Sequence, residues 1–148
     1  MIAMAVRVNI RVELNGVDKK LEKLADMDFR KPLKESGVYM EKSIGARFRR
    51  ANWKPLSPNT LKWHPHRRGG KPLNDTGRLR QSVTSRAIKR VSKTKLQYGT
   101  NLVYAPLHNF GGKTKFGYVP PRPFLYFDSK DQQVIKRIFE DYVKELAN

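Results

Sequence analysis

Residues 4–14, MAVRVNIRVEL, alternate without a break: Met4, Val6, Val8, Ile10, Val12 and Leu14 face one way, with Arg7, Asn9, Arg11 and Glu13 between them. A period of two over eleven residues rich in β-branched side chains predicts a half-buried strand. Asn15-Gly16 ends the run, and Asn15 can cap a short helix with Val17, Leu21 and Leu24 on one face. After Pro32 the period changes. Leu33, Met40, Ile44 and Phe48 recur at helical spacing and predict a helix reaching Ala51. Gly37 and Gly45 interrupt it at a cost of about 1 kcal/mol each, and they leave room for another backbone to approach.

Between 52 and 75 neither period survives. NWKPLSPNTLKWHPHRRGGKPLND holds four prolines and two glycines, so an extended loop or arm is expected. Its two tryptophans argue against simple disorder. Order resumes where Asp75 or Thr76 can cap a short turn that carries Leu79 and Val83 inward. VTSRAIKRV (83–91) and KLQYGTNL (95–102) then read as two strands joined near Ser92–Thr94. VYAPLHNFG predicts one or two helical turns closed by Gly111, and residues 111–123, with three prolines nearby, a second loop. The last helix is the clearest. Ser129 and Gln132 suggest a capping box, and Val134, Ile135, Ile138, Phe139, Tyr142, Val143 and Leu146 form its apolar stripe.

The pattern sums to one α+β domain spanning residues 1–148. A small antiparallel sheet of three to four strands packs against helices, with a long extended basic loop and a C-terminal helix. Composition adds two constraints. The chain has no cysteine, which removes disulfides and thiolate metal sites, and no window resembles a signal peptide or membrane span. A soluble chain made inside the cell is the expectation. The formal net charge is +18, and residues 29–95 alone carry nineteen basic side chains against three acidic. Charge clustered so densely repels itself, which favours a partner-facing surface over a merely solvated one.

His64 and His66 are the residues that most resemble chemistry. A zinc site wants three or four ligands, yet His108 is the one further histidine and Asp75 the one carboxylate between Glu41 and Asp128. That shortage weighs equally against acid–base catalysis, and Ser82 and Ser85 lack a nucleophile-elbow context. No metal, cofactor or enzymatic activity is expected. Nucleic-acid binding is the stronger rival, because Arg67, Arg68, Lys71, Arg78 and Arg80 lie near Trp53 and Trp63 in sequence. Basic groups neutralise phosphates and aromatics stack on bases, although no recognition motif accompanies them. Either tryptophan can instead anchor its segment on an apolar surface.

Four stretches, in order, carry a resemblance: WKPLSPNTLK (53–62), LNDTGRLRQSV (73–83), YAPLHNFGG (104–112) and PPRPFL (120–125). With them the chain resembles the phage virion morphogenesis family of Mu-like tail-completion or head–tail joining proteins. The resemblance implies a structural virion protein at the head-proximal end of the tail, in the tail or neck, assembled in the bacterial host cytoplasm. It implies a ring homo-oligomer, a hexamer by analogy, meeting neck, connector or tail-tube proteins, with DNA in the lumen as a further contact and no membrane. The motif residues Trp53, Pro55, Leu56, Leu73, Thr76, Gly77, Leu79, Ser82, Tyr104, Ala105, His108, Gly111, Arg122, Pro123, Phe124 and Leu125 are expected to be mainly structural. Leu73 and Leu79 would dock the turn, and Thr76-Gly77 would give a tight entry to it. His108, four residues from Tyr104, would be a hydrogen-bonded positioning residue. Arg122, set between prolines, would pair with a carboxylate of a neighbouring element or subunit. Trp63, His64, His66, Arg67, Arg68 and Lys71 form the arm expected to touch a partner or DNA.

Overall fold

The computed structural model describes residues 4–11 and 27–147. Three strands, β1 (Val6–Arg11), β2 (Ile88–Val91) and β3 (Lys95–Thr100), form an antiparallel sheet in the order β1-β3-β2. The alternation in β1 is realised: Val6 and Ile10 are buried while Arg7, Asn9 and Arg11 are exposed. Val6 stands opposite Thr100 and Arg11 opposite Lys95, and β2 and β3 join as a hairpin closed by the Ser92 N–H donating to the Lys95 carbonyl, 2.8 Å. Gly99 is required in the central strand, since a Cβ there would lie 2.0 Å from the Val6 carbonyl oxygen. Residues 12–14 and the proposed helix at 15–24 lie outside the described residues.

Helix α1 (Arg30–Arg50) covers one face of the sheet with Leu33, Met40, Ile44 and Phe48, each essentially fully buried. At Gly37 and Gly45 the neighbours are side chains at ordinary distance, not another backbone. Helix α5 (Ser129–Ala147) packs antiparallel on α1. At one end Phe29, just ahead of α1, meets Phe139 and Tyr142, with ring centroids 6.0 and 6.2 Å apart. At the other, α1 and α5 are joined by a buried ion pair between Arg47 and Asp131. Arg47 Nη1 also donates to the Phe124 and Tyr126 carbonyls at 3.0 and 2.9 Å. Asp131 accepts further from Tyr39 Oη (2.9 Å), Ser43 Oγ (2.8 Å) and the Asp128 N–H (3.1 Å). A buried charge pair is stable only when its remaining donors and acceptors are met, and here Arg47 Nη1 and Nη2 and both Asp131 oxygens all have partners.

Several expectations need correction. The capping box belongs to Asp128 and Asp131 rather than Ser129 and Gln132, for Asp131 N–H donates to Asp128 Oδ1 at 2.8 Å while Asp131 Oδ2 accepts from Asp128 N–H. Val143 and Leu146, at the end of the α5 stripe, are exposed. The expected strand from Val83 starts at Ile88, because Arg78–Val83 forms helix α3 with Leu79 and Val83 inward. Segment 52–75 is not featureless. It contains α2 (Pro58–Trp63), capped by Ser57 Oγ accepting from the Thr60 N–H, and a 3-10 turn at Pro65–Arg67. Loop 111–123 contains a short hairpin, β4 (Gly112–Thr114) and β5 (Gly117–Val119). Both segments escaped notice because elements of three to six residues are too short to establish a period.

Replacing Asp131 with Asn strands the Arg47 charge in the core. A loss of about 3–5 kcal/mol is expected, read as a lower urea midpoint at neutral pH. Burial pushes the Asp131 carboxyl up, but Ser43, the Asp128 N–H, Tyr39 and Arg47 together hold it below its ordinary value. Its contribution is therefore present above the unfolded-state value of about 4 and lost as pH falls through the lower folded value. Acid should destabilise the wild type more steeply than Asp131→Asn over that range, in urea titrations between pH 5 and 2.

Candidate docking recess and aromatic rim

The four sequence motifs meet at one place. Helix α4 (Ala105–Phe110) stands beside the strap 120–125, and Asn109 joins them: its Oδ1 accepts from the Phe124 and Leu125 N–H groups, both at 3.0 Å. The Arg122 N–H donates to the His108 carbonyl at 2.8 Å. The Arg122 side chain, 6% exposed, pairs with no carboxylate among the described residues. Its Nε and Nη2 donate to the Lys54 and Pro55 carbonyls at 2.7 and 3.0 Å, which ties the strap to WKPLSP. Trp53 completes the tie. Its Nε1 donates to the Pro123 carbonyl at 2.7 Å, and its ring stands edge-on to Phe48, 5.3 Å between centroids. Trp53 is thus an internal anchor, as are the buried Phe124, Leu125 and Ala105.

The basic arm folds back on the C-terminus of α1. Lys71 Nζ donates to the Arg49 carbonyl at 2.6 Å and Asn74 Nδ2 to the Phe48 carbonyl at 3.3 Å, satisfying acceptors left open by the helix end. Arg67 is turned inward and 9% exposed, with Nη2 donating to the Lys71 carbonyl at 3.3 Å. Asp75 lies 3.7 Å from Arg67 Nη1 and 3.3 Å from His66 Nε2. Trp63, His64, His66 and Arg68 stay exposed, the two histidine rings edge to face at 5.9 Å. Among the described residues no three histidine, aspartate or glutamate side chains cluster as a metal site would require. Leu73, at φ 65°, and Gly77, at φ 80°, occupy left-handed backbone, the latter at the entry to α3 beside the Thr76 hydroxyl, which accepts from the Arg78 N–H at 3.3 Å. Ser82 is spent internally, its hydroxyl donating to the Leu79 carbonyl at 2.7 Å.

These pieces enclose a recess of about 340 Å³, lined by Leu56, Thr60 and His64 from α2 and its flanks, by Arg67 and Leu73 from the arm, and by residues 75–79, Tyr104, His108 and Arg122. His108 Nδ1 is buried without a hydrogen-bond partner among the described residues, so none of them makes the expected positioning bond through that atom. Burial and, secondarily, the nearby Arg122 lower the His108 pKa, which favours the neutral ring. A second recess, of about 660 Å³, opens between α2 and the β4–β5 hairpin. Trp63, Phe116 and Tyr118 border it at 71, 85 and 66% exposure.

Arg47, Asp131 and Asn109 escaped the sequence reading. Arg47 is visible in hindsight as a charge on the apolar stripe Met40–Ile44–Phe48, and Asp131 as a helix-start carboxylate, whereas nothing local marks Asn109. The hairpin aromatics Phe116 and Tyr118 were hidden inside a segment read as loop.

A protein stapled this way, with its motif residues spent on holding loops, is built as a structural part. The comparison with known proteins gives the class: residues 12–144 match the phage virion morphogenesis family, and the chain belongs to that family. The chain is a phage virion structural protein. It is 33% identical to the Mu-like prophage FluMu G protein 2 of Haemophilus influenzae over 148 aligned positions, covering 93% of this chain and 98% of that protein. No solved structure matches it. Among the described residues no helix is long and apolar enough to cross a membrane.

Removing the Asn109 side chain leaves two buried backbone N–H groups unpaired. Asn109→Ala should cost on the order of 3 kcal/mol, measured by chemical denaturation, with hydrogen-exchange protection lost first at Phe124 and Leu125.

Proposed function

We propose that the chain is a tail-completion protein that assembles as a ring of identical copies at the head-proximal end of a phage tail and helps join tail to head. The observation that carries this reading is the rim formed by Trp63, Phe116 and Tyr118. These large aromatics stand 66–85% exposed on two short elements, α2 and the β4–β5 hairpin, that flank one recess. Exposed aromatics grouped around a concavity are typical of binding hot spots. Family membership and the Mu-like relative support the virion setting. The occupants of the rim would be a neighbouring copy and, at the ring faces, neck, connector or tail-tube proteins.

Copies carrying +18 each repel one another, so screening by salt should favour the ring. Native mass spectrometry with negative-stain imaging tests this. Closed rings of a single stoichiometry are expected, and the Trp63→Ala/Phe116→Ala variant should dissociate to monomers without losing its melting temperature. A wild-type protein that stays monomeric at every concentration and salt level would refute the ring.

Sequence-independent contact with DNA is a second reading, favoured by Lys62 and Lys115 lying 5.9 and 5.1 Å from the Trp63 and Phe116 ring centroids. Duplex DNA titrated at several salt concentrations should then bind with a steep salt slope, and no binding at low salt would remove this reading.

A further inference from the structure

The smaller recess has an electrostatic imbalance that the described residues do not relieve. Arg67 from the basic arm and Arg122 from the strap reach it, both nearly covered, and burial and, secondarily, the Arg67 charge lower the pKa of Arg122. Asp75 is the one carboxylate in the lining, exposed at the rim and already facing His66 and Arg67. Arg122 spends Nε and Nη2 on carbonyls, which leaves Nη1 without a partner among the described residues. His108, in the same wall, has its Nδ1 buried without a partner among the described residues. Covering two guanidinium groups costs several kcal/mol per ion unless an opposite charge offsets it. Nothing among the described residues supplies the second negative charge.

We propose that this recess is a carboxylate pocket that receives an aspartate or glutamate side chain from a neighbouring protein chain, with Arg67 and Arg122 as its donors and His108 in its wall. Guanidinium groups match the planar oxygens of a carboxylate, and the apolar walls from Leu56, Leu73 and Tyr104 suit the aliphatic stem. A DNA phosphate fits less well. A phosphodiester is flanked by two sugars and meets exposed basic groups, whereas these two arginines are 9 and 6% exposed. The source of the carboxylate rests on the assembly reading above, but the pocket itself can be tested on unassembled protein.

The test follows His108 ring and arginine side-chain resonances by NMR in the full chain at constant ionic strength. The probes are acetate, capped Gly-Glu-Gly and capped Gly-Gln-Gly, inorganic phosphate, and chloride as the background anion. Saturable shifts at His108 and Arg67 with acetate and the Glu peptide are expected, with none from the Gln peptide. Arg67→Gln, with its other resonances unmoved, should lose the response. If that variant does not fold, His108→Gln takes its place, with the Arg67 resonances as readout and a weaker saturable response expected. Acetate shifts that merely track chloride would overturn the pocket. Phosphate saturating where acetate does not would overturn its assignment to carboxylates. A ring that forms while the pocket stays silent would reject this inference alone, and a pocket that binds in a strictly monomeric protein would reject the ring alone.

Discussion

The buried pair of Arg47 and Asp131 is the constraint on which the rest of the molecule depends. It sits where the C-terminal part of α1, the start of α5 and the strap at 124–126 converge, and a charge buried there is tolerable only if all three stay in place. Arg47 additionally lies against the Tyr126 ring, 3.5 Å from its centroid, so it is enclosed by packing as well as by hydrogen bonds. Asp131 has two roles at once, as counter-ion to α1 and as half of the capping box that starts its own helix. Loss of α1 or α5 leaves a charge unpaired, and loss of the strap leaves Arg47 Nη1 without its two carbonyl acceptors. The layers of this small domain should therefore separate cooperatively or not at all.

From that centre the chain between Trp53 and Leu125 is fastened outward in stages. Phe124 packs 5.6 Å from Phe48 and holds the strap against α1. Asn109 then holds α4 to the strap, while Arg122 and Trp53 hold the WKPLSP segment to it. Lys71 and Asn74 return the basic arm to the end of α1. Within the dense positive segment 29–95, Arg47, Arg67 and Lys71 donate to backbone carbonyls, while Arg30, Lys31, Arg47, Arg67 and Lys89 meet carboxylates, several of them supplied from outside the segment.

The readable parts of the sequence were those with a long period. β1 announced itself through Val6, Val8 and Ile10, α1 through Leu33, Met40, Ile44 and Phe48, and α5 through its apolar stripe. What could not be read was contact between segments distant in sequence. Arg122 as a donor to residues 54 and 55, and Arg67 as a buried cation, follow from tertiary folding that no local spacing encodes. Short elements failed for a related reason. Ser57 before Pro58 is a good helix start, yet one and a half turns give too few residues to separate a helix from a turn. The motif order was legible even though the geometry was not, and it pointed to the family that residues 12–144 match.

A protein whose motif residues are spent on internal fastening, and whose exposed aromatics face outward, is suited to attachment. The most direct measurement is cryo-electron microscopy of purified particles from a phage that carries this gene, with the chain located by mass spectrometry of the same preparation. A ring of this fold at the head-proximal end of the tail is the expected result, with the α2 and hairpin rim buried against a neighbour. Finished particles that lack the chain, or that hold it elsewhere with that rim facing solvent, would contradict the account.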